Sequence, residues 1–528
     1  MKSLKYIVAL FLVAGLSTSC QKFLDTVPKD TLSPEFYYNN EKEMDAALAG
    51  VYDLLGKETY YGNYAFTFFS AASDISYWRR ASGGNAFAGI QVLNYDAQDD
   101  NIAGLWKLCY TGINRANLVL ANINKPQLTA EKRNQVKGEA LFLRAYYHFL
   151  LVSNWGDVPL ILDSKVDLSK LNVPRTPAKE VYLQIIKDME EAEPLVKGIR
   201  ELGYGGRVNK SAVRGVLARV NLYMAGQPVN DASRYAEAAK WALAVKNDAE
   251  AAHKLNPSFS DIFIKYAQDK YDIGESIWEV ELWGNRIGNA YQEAGRVGNT
   301  NGIQFSGEEG IIGFSSGFIG ATSLFYKMFE STDARRDWAI APFQYKGKDI
   351  TKVPWKPTEI YQRMDGKFRR EYETLEKQKN YTPTNFPLLR YADVLLMLAE
   401  AENGRTDAQD PELKWTALNE VRKRAGATLY TIAANNRPVG KDAFLKLIQD
   451  ERARELSGEA LRVNDLKRWG IYLTAMANLK TEILSNAPAN YQYSALAATN
   501  ILPKHTLFPV PLSEININSK LLPNNPGW

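Results

Sequence analysis

Two clusters of aromatic and polar side chains are the parts of this 528-residue sequence best suited to bind a ligand. The first cluster is Tyr77-Trp78-Arg79-Arg80, and the second comprises Trp283, Asn285, Arg286, Asn289 and Tyr291. Flat rings can stack on the C–H faces of a neutral sugar, while guanidinium and amide groups hydrogen-bond to its hydroxyl rim. Both clusters therefore predict noncovalent recognition of a polar, ring-shaped ligand.

Each cluster also allows a structural interpretation. Trp78 and Trp283 would suit a packed interior equally well, and interior packing is the favoured role for the aromatic residues over 60–69. Arg79 and Arg80 are either solvated loop charges or partners for an acidic sugar or another carboxylate.

The sequence gives little evidence for a catalytic site. Glu451 and Glu455 lie one helical turn apart among arginines, which would keep both carboxylates ionised. That arrangement suits helix bracing and not the general acid of a glycosidase. Segment 313–317 reads GFSSG and matches GxSxG, but it has only His505 downstream and no alternating strand and helix series around it. A serine hydrolase is a remote alternative, and we predict no catalytic residue.

The composition of the chain argues against several classes of ligand and partner. Sixty-four Lys and Arg against 60 Asp and Glu give a net charge of +4, which argues against nucleic acid. Three histidines and two cysteines are too few for zinc clusters or a disulfide framework. We therefore predict no metal site and no cofactor.

The start of the chain predicts a lipoprotein signal. Lys2 and Lys5 precede an apolar run over 6–16, which is too short to span a bilayer, and small residues then lead to Cys20. We assign residues 1–19 to the signal peptide and Cys20 to lipidation, which would anchor the mature chain to a membrane. An ordinary secretory signal with an incidental cysteine is the alternative.

Most of the remaining sequence shows the 3.6-residue periodicity of amphipathic helices. We predict helices over 42–55, 104–123, 131–152, 179–196, 210–225, 234–245, 388–402, 412–425, 441–456 and 462–484. Stacked antiparallel helix pairs are the simplest way to bury their apolar faces, and such a scaffold could also bind a peptide in a concave groove. Two aromatic or glycine-rich stretches, 60–85 and 274–320, interrupt the helices, and the second includes a predicted strand at 276–281.

Long motifs run through almost the whole mature chain. The N-terminal half contains LWKLCYTGINRANLVLANI from position 105, GEALFLRAYYHFLLVSNWGDVPLIL from 138 and GRVNKSAVRGVLARVNLYMAG from 206. The C-terminal half contains NFPLLRYADVLLMLAEAEN from 385, ALNEVRKRAG from 417, LIQDERARELSGEALRVNDLKRWG from 447 and the terminal LFPVPLSEININSKLLPNNPGW. Together these motifs resemble the RagB/SusD family of nutrient-binding outer-membrane lipoproteins.

The resemblance implies a mostly α, SusD-like fold with tetratricopeptide-like helix pairs as scaffold, irregular loop regions and short strands. It implies one SusD-like domain over 20–528, with an N-terminal part at about 22–250 and a C-terminal RagB/SusD part at about 270–528. In glycan-binding relatives the aromatic platform comes from loops of the same two irregular stretches, without a fixed motif.

The resemblance also implies a function. Such a protein is lipid-anchored in the outer membrane, faces the cell exterior and serves polysaccharide utilisation. It captures oligosaccharides without catalysis and delivers them to a TonB-dependent, SusC-like transporter. Peptide capture is the alternative within the family. On position and composition, the expected ligand-binding residues are Tyr77, Trp78, Arg79, Arg80, Trp283, Asn285, Arg286 and Tyr291.

Overall fold

Helices are the main regular elements of the computed structural model, which describes residues 37–83, 86–164, 172–282, 295–307, 310–374 and 377–528. In chain order they are α1 (Glu41–Tyr52), α2 (Phe68–Ala71), α3 (Asp100–Ala121), α4 (Ala130–Trp155), α5 (Ala178–Ala192), α6 (Ile199–Leu202), α7 (Lys210–Ala225), α8 (Arg234–Lys246), α9 (Phe259–Ala267), α10 (Ser323–Lys327), α11 (Arg336–Ala339), α12 (Tyr391–Gly404), α13 (Leu413–Ala425), α14 (Lys441–Leu456), α15 (Arg462–Arg468), α16 (Tyr472–Asn486), α17 (Leu496–Asn500) and α18 (Leu512–Ile517).

Local capping explains where the long helices begin. The Asp99 carboxylate accepts hydrogen bonds from two backbone N–H groups at the start of α3, and the Asn209 amide does the same for one at the start of α7. The Thr129 hydroxyl caps α4 in this way. Such caps satisfy N–H groups that have no partner within the helix.

The structure corrects two of the predicted helices. Residues 386–390 form a strand and not the start of the helix predicted over 388–402, because their backbone pairs with that of residues 276–280. The helix predicted over 462–484 is two helices, α15 and α16, which are separated at Gly470 with φ 71°. Helix α9 was missed by the sequence reasoning.

Within the described ranges, six short strands form three antiparallel pairs. They are β1 (Ser76–Trp78), β2 (Ser276–Val280), β3 (Ile319–Ala321), β4 (Phe343–Tyr345), β5 (Lys352–Pro354) and β6 (Phe386–Arg390), paired β1 with β3, β2 with β6 and β4 with β5. Strand β2 confirms the strand predicted at 276–281. The pairing of β1 with β3 joins the two irregular stretches of the sequence. Tyr77 lies opposite Gly320, where a Cβ atom would stand 2.2 Å from the Tyr77 ring, so the close approach requires glycine.

The apolar core is built from both halves of the chain. Consecutive long helices pack side by side, as α3 does with α4 and α7 with α8. The largest cluster of buried apolar residues extends from Tyr38 to Leu521 and includes the fully buried Cys109. Within the described ranges, no helix combines the length and apolarity that crossing a bilayer requires.

A set of buried ion pairs, here called the ion lattice, lies among β2, β6, α13 and α14. Its members are Glu275, Asp333, Arg335, Lys367, Arg390, Arg422, Arg424, Glu451, Glu455 and Glu459. Arg390 donates to Glu275 at 2.6 Å, to Glu455 at 3.0 Å and to Glu459 at 2.7 and 2.9 Å. Each charge therefore has partners that replace the water it has lost.

The lattice keeps Glu451 and Glu455 ionised. Burial alone would raise their pKa values, but the charges of Arg335, Arg454 and Arg422 hold the pKa of Glu451 far below its usual range. Arg424, Arg390 and Arg335 likewise lower the pKa of Glu455 to about 2. These carboxylates brace helices, as the sequence indicated.

Replacing Arg390 with Met should destabilise the protein strongly. The change leaves Glu275, Glu455 and Glu459 buried with one cation fewer, so we expect a loss of about 3–5 kcal/mol in the free energy of unfolding, measured by urea denaturation. The control is Lys240→Met, which breaks a solvent-facing pair with Glu237 and should change stability by less than about 1 kcal/mol. Similar losses for the two variants would contradict the structural role of the lattice.

Candidate ligand-binding site

The structure places Tyr77 and Trp78 in the protein interior and not on a loop. Both belong to β1, and only 2% of Tyr77 and 5% of Trp78 is exposed. The Tyr77 hydroxyl donates to the carbonyl oxygen of Tyr361 at 2.8 Å. The prediction that these two residues present an open aromatic platform on a loop is therefore wrong, because both faces of β1 are covered. The Tyr77 ring lies near Tyr493 on one face, and the Trp78 ring packs between Phe68 and Phe318 on the other.

Arg79 and Arg80 follow β1 and are half-buried. The Arg79 backbone N–H donates to the carbonyl oxygen of Phe318 at 2.7 Å, and its Nη1 lies 3.3 Å from both Gln304 Oε1 and the Gly317 oxygen. The Arg80 guanidinium stands 5.5 Å from the centroid of the Phe318 ring. The structure thus brings this arginine pair onto the second irregular stretch.

A row of four aromatic rings, here called the aromatic strip, continues from these arginines. It comprises Tyr64, Phe68, Trp78 and Phe318. Ring centroids are 4.8 Å apart between Tyr64 and Phe68, 5.5 Å between Phe68 and Trp78, and 5.0 Å between Trp78 and Phe318. All but Trp78 are half-buried, so the strip offers partly open ring surface beside two cationic side chains.

Hydrogen bonds between the two irregular stretches hold the strip. The Arg296 N–H donates to the Gly62 oxygen at 2.7 Å, and the Thr300 hydroxyl donates to Asn63 Oδ1 at 3.1 Å. The Phe318 N–H donates to the Thr300 oxygen at 2.8 Å. These bonds place Phe318 against a segment more than two hundred residues away in the sequence.

Tyr493, Trp78 and Arg79 contribute further polar groups in and near β1. Tyr493 lies 6.1 Å from Tyr77, between ring centroids, and is half-buried. Burial raises the pKa of Tyr493, and the charge of Arg79 only partly opposes this, so the hydroxyl stays protonated near neutral pH. Within the described ranges, the indole N–H of Trp78 and the Nε–H of Arg79 are buried and meet no protein acceptor.

The interior role predicted for the aromatic residues over 60–69 holds for Tyr60, Tyr61 and Phe66, which are buried. It fails for Tyr64 and Phe68, which belong to the aromatic strip. Sequence reasoning also missed Phe318, because an isolated aromatic residue in a glycine-rich segment gives no local signal. Phe68 is the first residue of the four-residue helix α2, and so short a helix gives no detectable periodicity in the sequence.

Several predicted residues lie outside the described part of the chain. These are Trp283, Asn285, Arg286, Asn289 and Tyr291 of the second cluster, together with Cys20.

A second concave surface, here called the acidic cleft, has a volume of about 740 Å³. Asp45, Asp53, Glu279 and Glu281 contribute carboxylates to its lining, and Arg207 contributes a cation. Glu279 is buried, and its carboxylate accepts hydrogen bonds from Asn385 Nδ2 at 2.9 Å and from the Ser276 hydroxyl. Burial raises the pKa of Glu279 to about 7, which the two hydrogen bonds only partly offset.

The GxSxG segment does not form a catalytic arrangement. The Ser315 hydroxyl donates to the carbonyl oxygen of Asn299 at 3.2 Å. His505 Nδ1 accepts the N–H of Leu502 at 3.0 Å, and its ring stands 5.2 Å from that of Tyr95. Each side chain thus has its own structural contact in a different part of the protein.

Comparison with known proteins matches both halves of the chain. One family model, described as "Starch-binding associating with outer membrane", matches residues 22–222, and another, described as "SusD family", matches residues 321–528. SusD-like protein P25 of Formosa agariphila is 25% identical over 99% of this chain and 98% of that protein.

Solved structures show the same fold. The crystal structure of a SusD homolog from Bacteroides thetaiotaomicron has a TM-score of 0.85 at 26% identity and covers 94% of this chain and 98% of that chain. Surface glycan-binding protein A from the same organism, in complex with laminarihexaose, has a TM-score of 0.68 at 20% identity over 92% of this chain and 100% of that chain.

The mostly helical scaffold is that of SusD-like proteins. With its N-terminal and C-terminal parts both matched, this chain belongs to the glycan-binding SusD family, and the predicted mostly α, SusD-like fold is confirmed.

Glu279 should make the free energy of unfolding of the protein depend on pH. The pKa of Glu279 is about 7 in the folded protein and ordinarily 4.5. Between these two pH values, Glu279 is therefore ionised in the unfolded chain but still protonated in the folded protein. Stability is therefore lost as pH rises through that window, by up to about 3 kcal/mol. Glu279→Gln should remove this loss. In urea denaturation, the free energy of unfolding of the variant should therefore rise relative to that of the wild type between pH 4.5 and 8.

The exposed Glu250 supplies the control. Glu250→Gln should follow the wild-type pH dependence, and a Glu279→Gln curve parallel to both would contradict the prediction.

Proposed function

We propose that this protein is a cell-surface glycan-binding lipoprotein that captures oligosaccharides and passes them, unchanged, to a TonB-dependent SusC-like transporter. The aromatic strip beside Arg79 and Arg80 is the observation that carries the proposal. Family membership supports the same conclusion, as does the relative of the same fold solved with laminarihexaose.

The strip offers the chemistry that an oligosaccharide requires. Sugar rings present apolar C–H faces that pack on Tyr64, Phe68 and Phe318, while their hydroxyl groups can accept hydrogen bonds from Arg79 and Arg80. Tyr493 adds a neutral hydroxyl that donates and accepts. A row of rings suits a chain of sugar units better than a single compact ligand.

Binding without bond cleavage agrees with the state of the acidic residues. A glycosidase needs one carboxyl group that holds a proton near its working pH. Glu451 and Glu455 are held ionised by arginines, and Ser315 is hydrogen-bonded to a backbone carbonyl. Glu279 does hold a proton near neutral pH, but it is buried and hydrogen-bonded to Ser276 and Asn385. The states of these residues therefore favour capture over hydrolysis.

The proposed location follows from the sequence. We propose that residues 1–19 are removed, that Cys20 is acylated and that residues 20–528 form one SusD-like domain on the outer face of the outer membrane. The apolar cluster that draws on residues from Tyr38 to Leu521 supports the single domain. The family description that mentions association with the outer membrane supports the location.

A peptide ligand is the second candidate, because adjacent guanidinium groups at Arg79 and Arg80 also suit the carboxylates of a peptide. Isothermal titration calorimetry against a panel of neutral oligosaccharides, acidic oligosaccharides and peptides separates the two candidates. Binding to peptides alone would replace the glycan proposal by the peptide one.

Phe318→Ala should weaken oligosaccharide binding by about tenfold or more, because burial of an aromatic ring face contributes on the order of 1–3 kcal/mol. Arg80→Ala should also weaken binding, since it removes the cation beside Phe318. Calorimetry with the best-binding oligosaccharide of the panel measures both effects. Trp78→Ala is a poor test, because a tryptophan that is 5% exposed packs between Phe68 and Phe318, and its loss should cost about 3–5 kcal/mol of stability.

Trp241→Ala is the matched control, since Trp241 is a half-buried aromatic residue of α8 within the helical scaffold. It should leave oligosaccharide affinity unchanged. If Phe318→Ala and Arg80→Ala retain wild-type affinity in folded protein, the strip is not the binding surface.

A further inference from the structure

A separate cavity of about 280 Å³ lies near the ends of α4 and α7, against α15 and α16. Its lining includes Ser153, Tyr182, Tyr223, Gln227, Asn464 and Lys467. The cavity could hold several water molecules, each of which occupies about 30 Å³ in the liquid, or a ligand the size of one sugar unit. None of its lining residues belongs to the aromatic strip or to the acidic cleft.

Lys467 is the unusual member of this lining. Its Nζ stands 5.8 Å from the ring centroid of Tyr472, which also lines this cavity, and 4.8 Å from that of Phe508, which lines a smaller adjoining cavity that Lys467 and Tyr472 share. In the part of the chain that the structure describes, no carboxylate lies within ion-pair distance of it. The neighbouring arginines of α14 and α15 differ, because Arg452, Arg462 and Arg468 each pair with an acidic side chain.

The charge of Lys467 is therefore left uncompensated. Burial lowers the pKa of Lys467 to about 8, which reflects the cost of placing an ammonium group among ring faces. Arg468 also lines the cavity, but Glu400 and Asp465 balance its charge. Near Lys467, His505 stays neutral, because burial and the charges of Lys504 and Lys467 lower its pKa to about 4.

The lining also contains neutral polar groups, beside the apolar side chains of Pro228, Leu473 and Leu507. Hydroxyl groups come from Ser153, Tyr182 and Tyr223, and amides come from Gln227 and Asn464. Such groups recognise hydroxyl-bearing ligands by hydrogen bonds, while the tyrosine rings offer flat apolar surface. The cavity thus combines one unpaired cation with the groups that bind a polyol.

We propose that this cavity binds a compact hydroxyl-bearing carboxylate of monosaccharide size, such as a hexuronic acid, with the carboxylate paired to Lys467. The bound carboxylate supplies the negative partner that Lys467 lacks among the described residues, and the hydroxyl groups of the ligand meet the serine, tyrosine and amide groups. The proposal is independent of the oligosaccharide proposal, since it uses other residues.

Calorimetry of the full mature chain with sodium glucuronate, glucose and sodium acetate tests the site. Glucuronate should bind more tightly than either glucose or acetate, because only glucuronate provides both the charge and the hydroxyl groups. Lys467→Gln should weaken glucuronate binding by at least about tenfold, as expected for loss of one partner of a desolvated ion pair. Lys423→Gln, which alters an exposed lysine of α13, should bind as the wild type does.

A second measurement uses the unaltered protein. Acetylation of lysine amines, followed by peptide mass spectrometry, should show that glucuronate protects Lys467 and leaves Lys423 equally reactive. Phe318→Ala should retain glucuronate binding, which separates this site from the strip. The proposal is overturned if glucuronate fails to bind, if glucose or acetate binds as tightly, or if Lys467 is not protected.

Discussion

A buried guanidinium or carboxylate group without a partner of opposite charge destabilises a folded protein by several kcal/mol. The centre of this protein satisfies that constraint with the ion lattice, in which Arg390 of β6 contacts carboxylates from β2 and from the segment around α14. Because each guanidinium group has fixed hydrogen-bond directions, the lattice also fixes how these elements lie relative to one another. Helix packing alone would leave more freedom in their rotation and register.

The same constraint extends to the segment that carries the proposed binding surface. Asp74, two residues before β1, pairs with Arg462 at 2.6 Å, and its carbonyl oxygen accepts the Thr322 hydroxyl at 2.7 Å. The Tyr472 hydroxyl donates to the Ala72 oxygen at 2.7 Å. These contacts tie the N-terminal segment to the C-terminal half of the chain, so the rings of the aromatic strip are set by the scaffold and not by local loop preference.

The sequence predicted most of the scaffold, because long amphipathic segments such as 131–152 and 441–456 carry their period and their stop signals locally. The prediction failed where an apolar run is compatible with both a helix and a buried strand. A helix was predicted over 388–402, but its first three residues belong to the buried strand 386–390 beside β2. The candidate site was only partly predictable. Arg79 and Arg80 were found by composition, whereas Phe318 is brought to them by a strand pair that no local pattern specifies.

The separation between the aromatic strip and the ion lattice has an evolutionary consequence. Within the described residues, the side chains of Tyr64, Phe68 and Phe318 form no hydrogen bond with a lattice member, so exchanging one ring for another leaves the paired charges intact. Descendants of this chain can therefore change the ligand preference of the proposed binding surface through a few substitutions in the aromatic strip. The ion lattice, whose disruption would destabilise the fold, can stay unchanged while those substitutions accumulate.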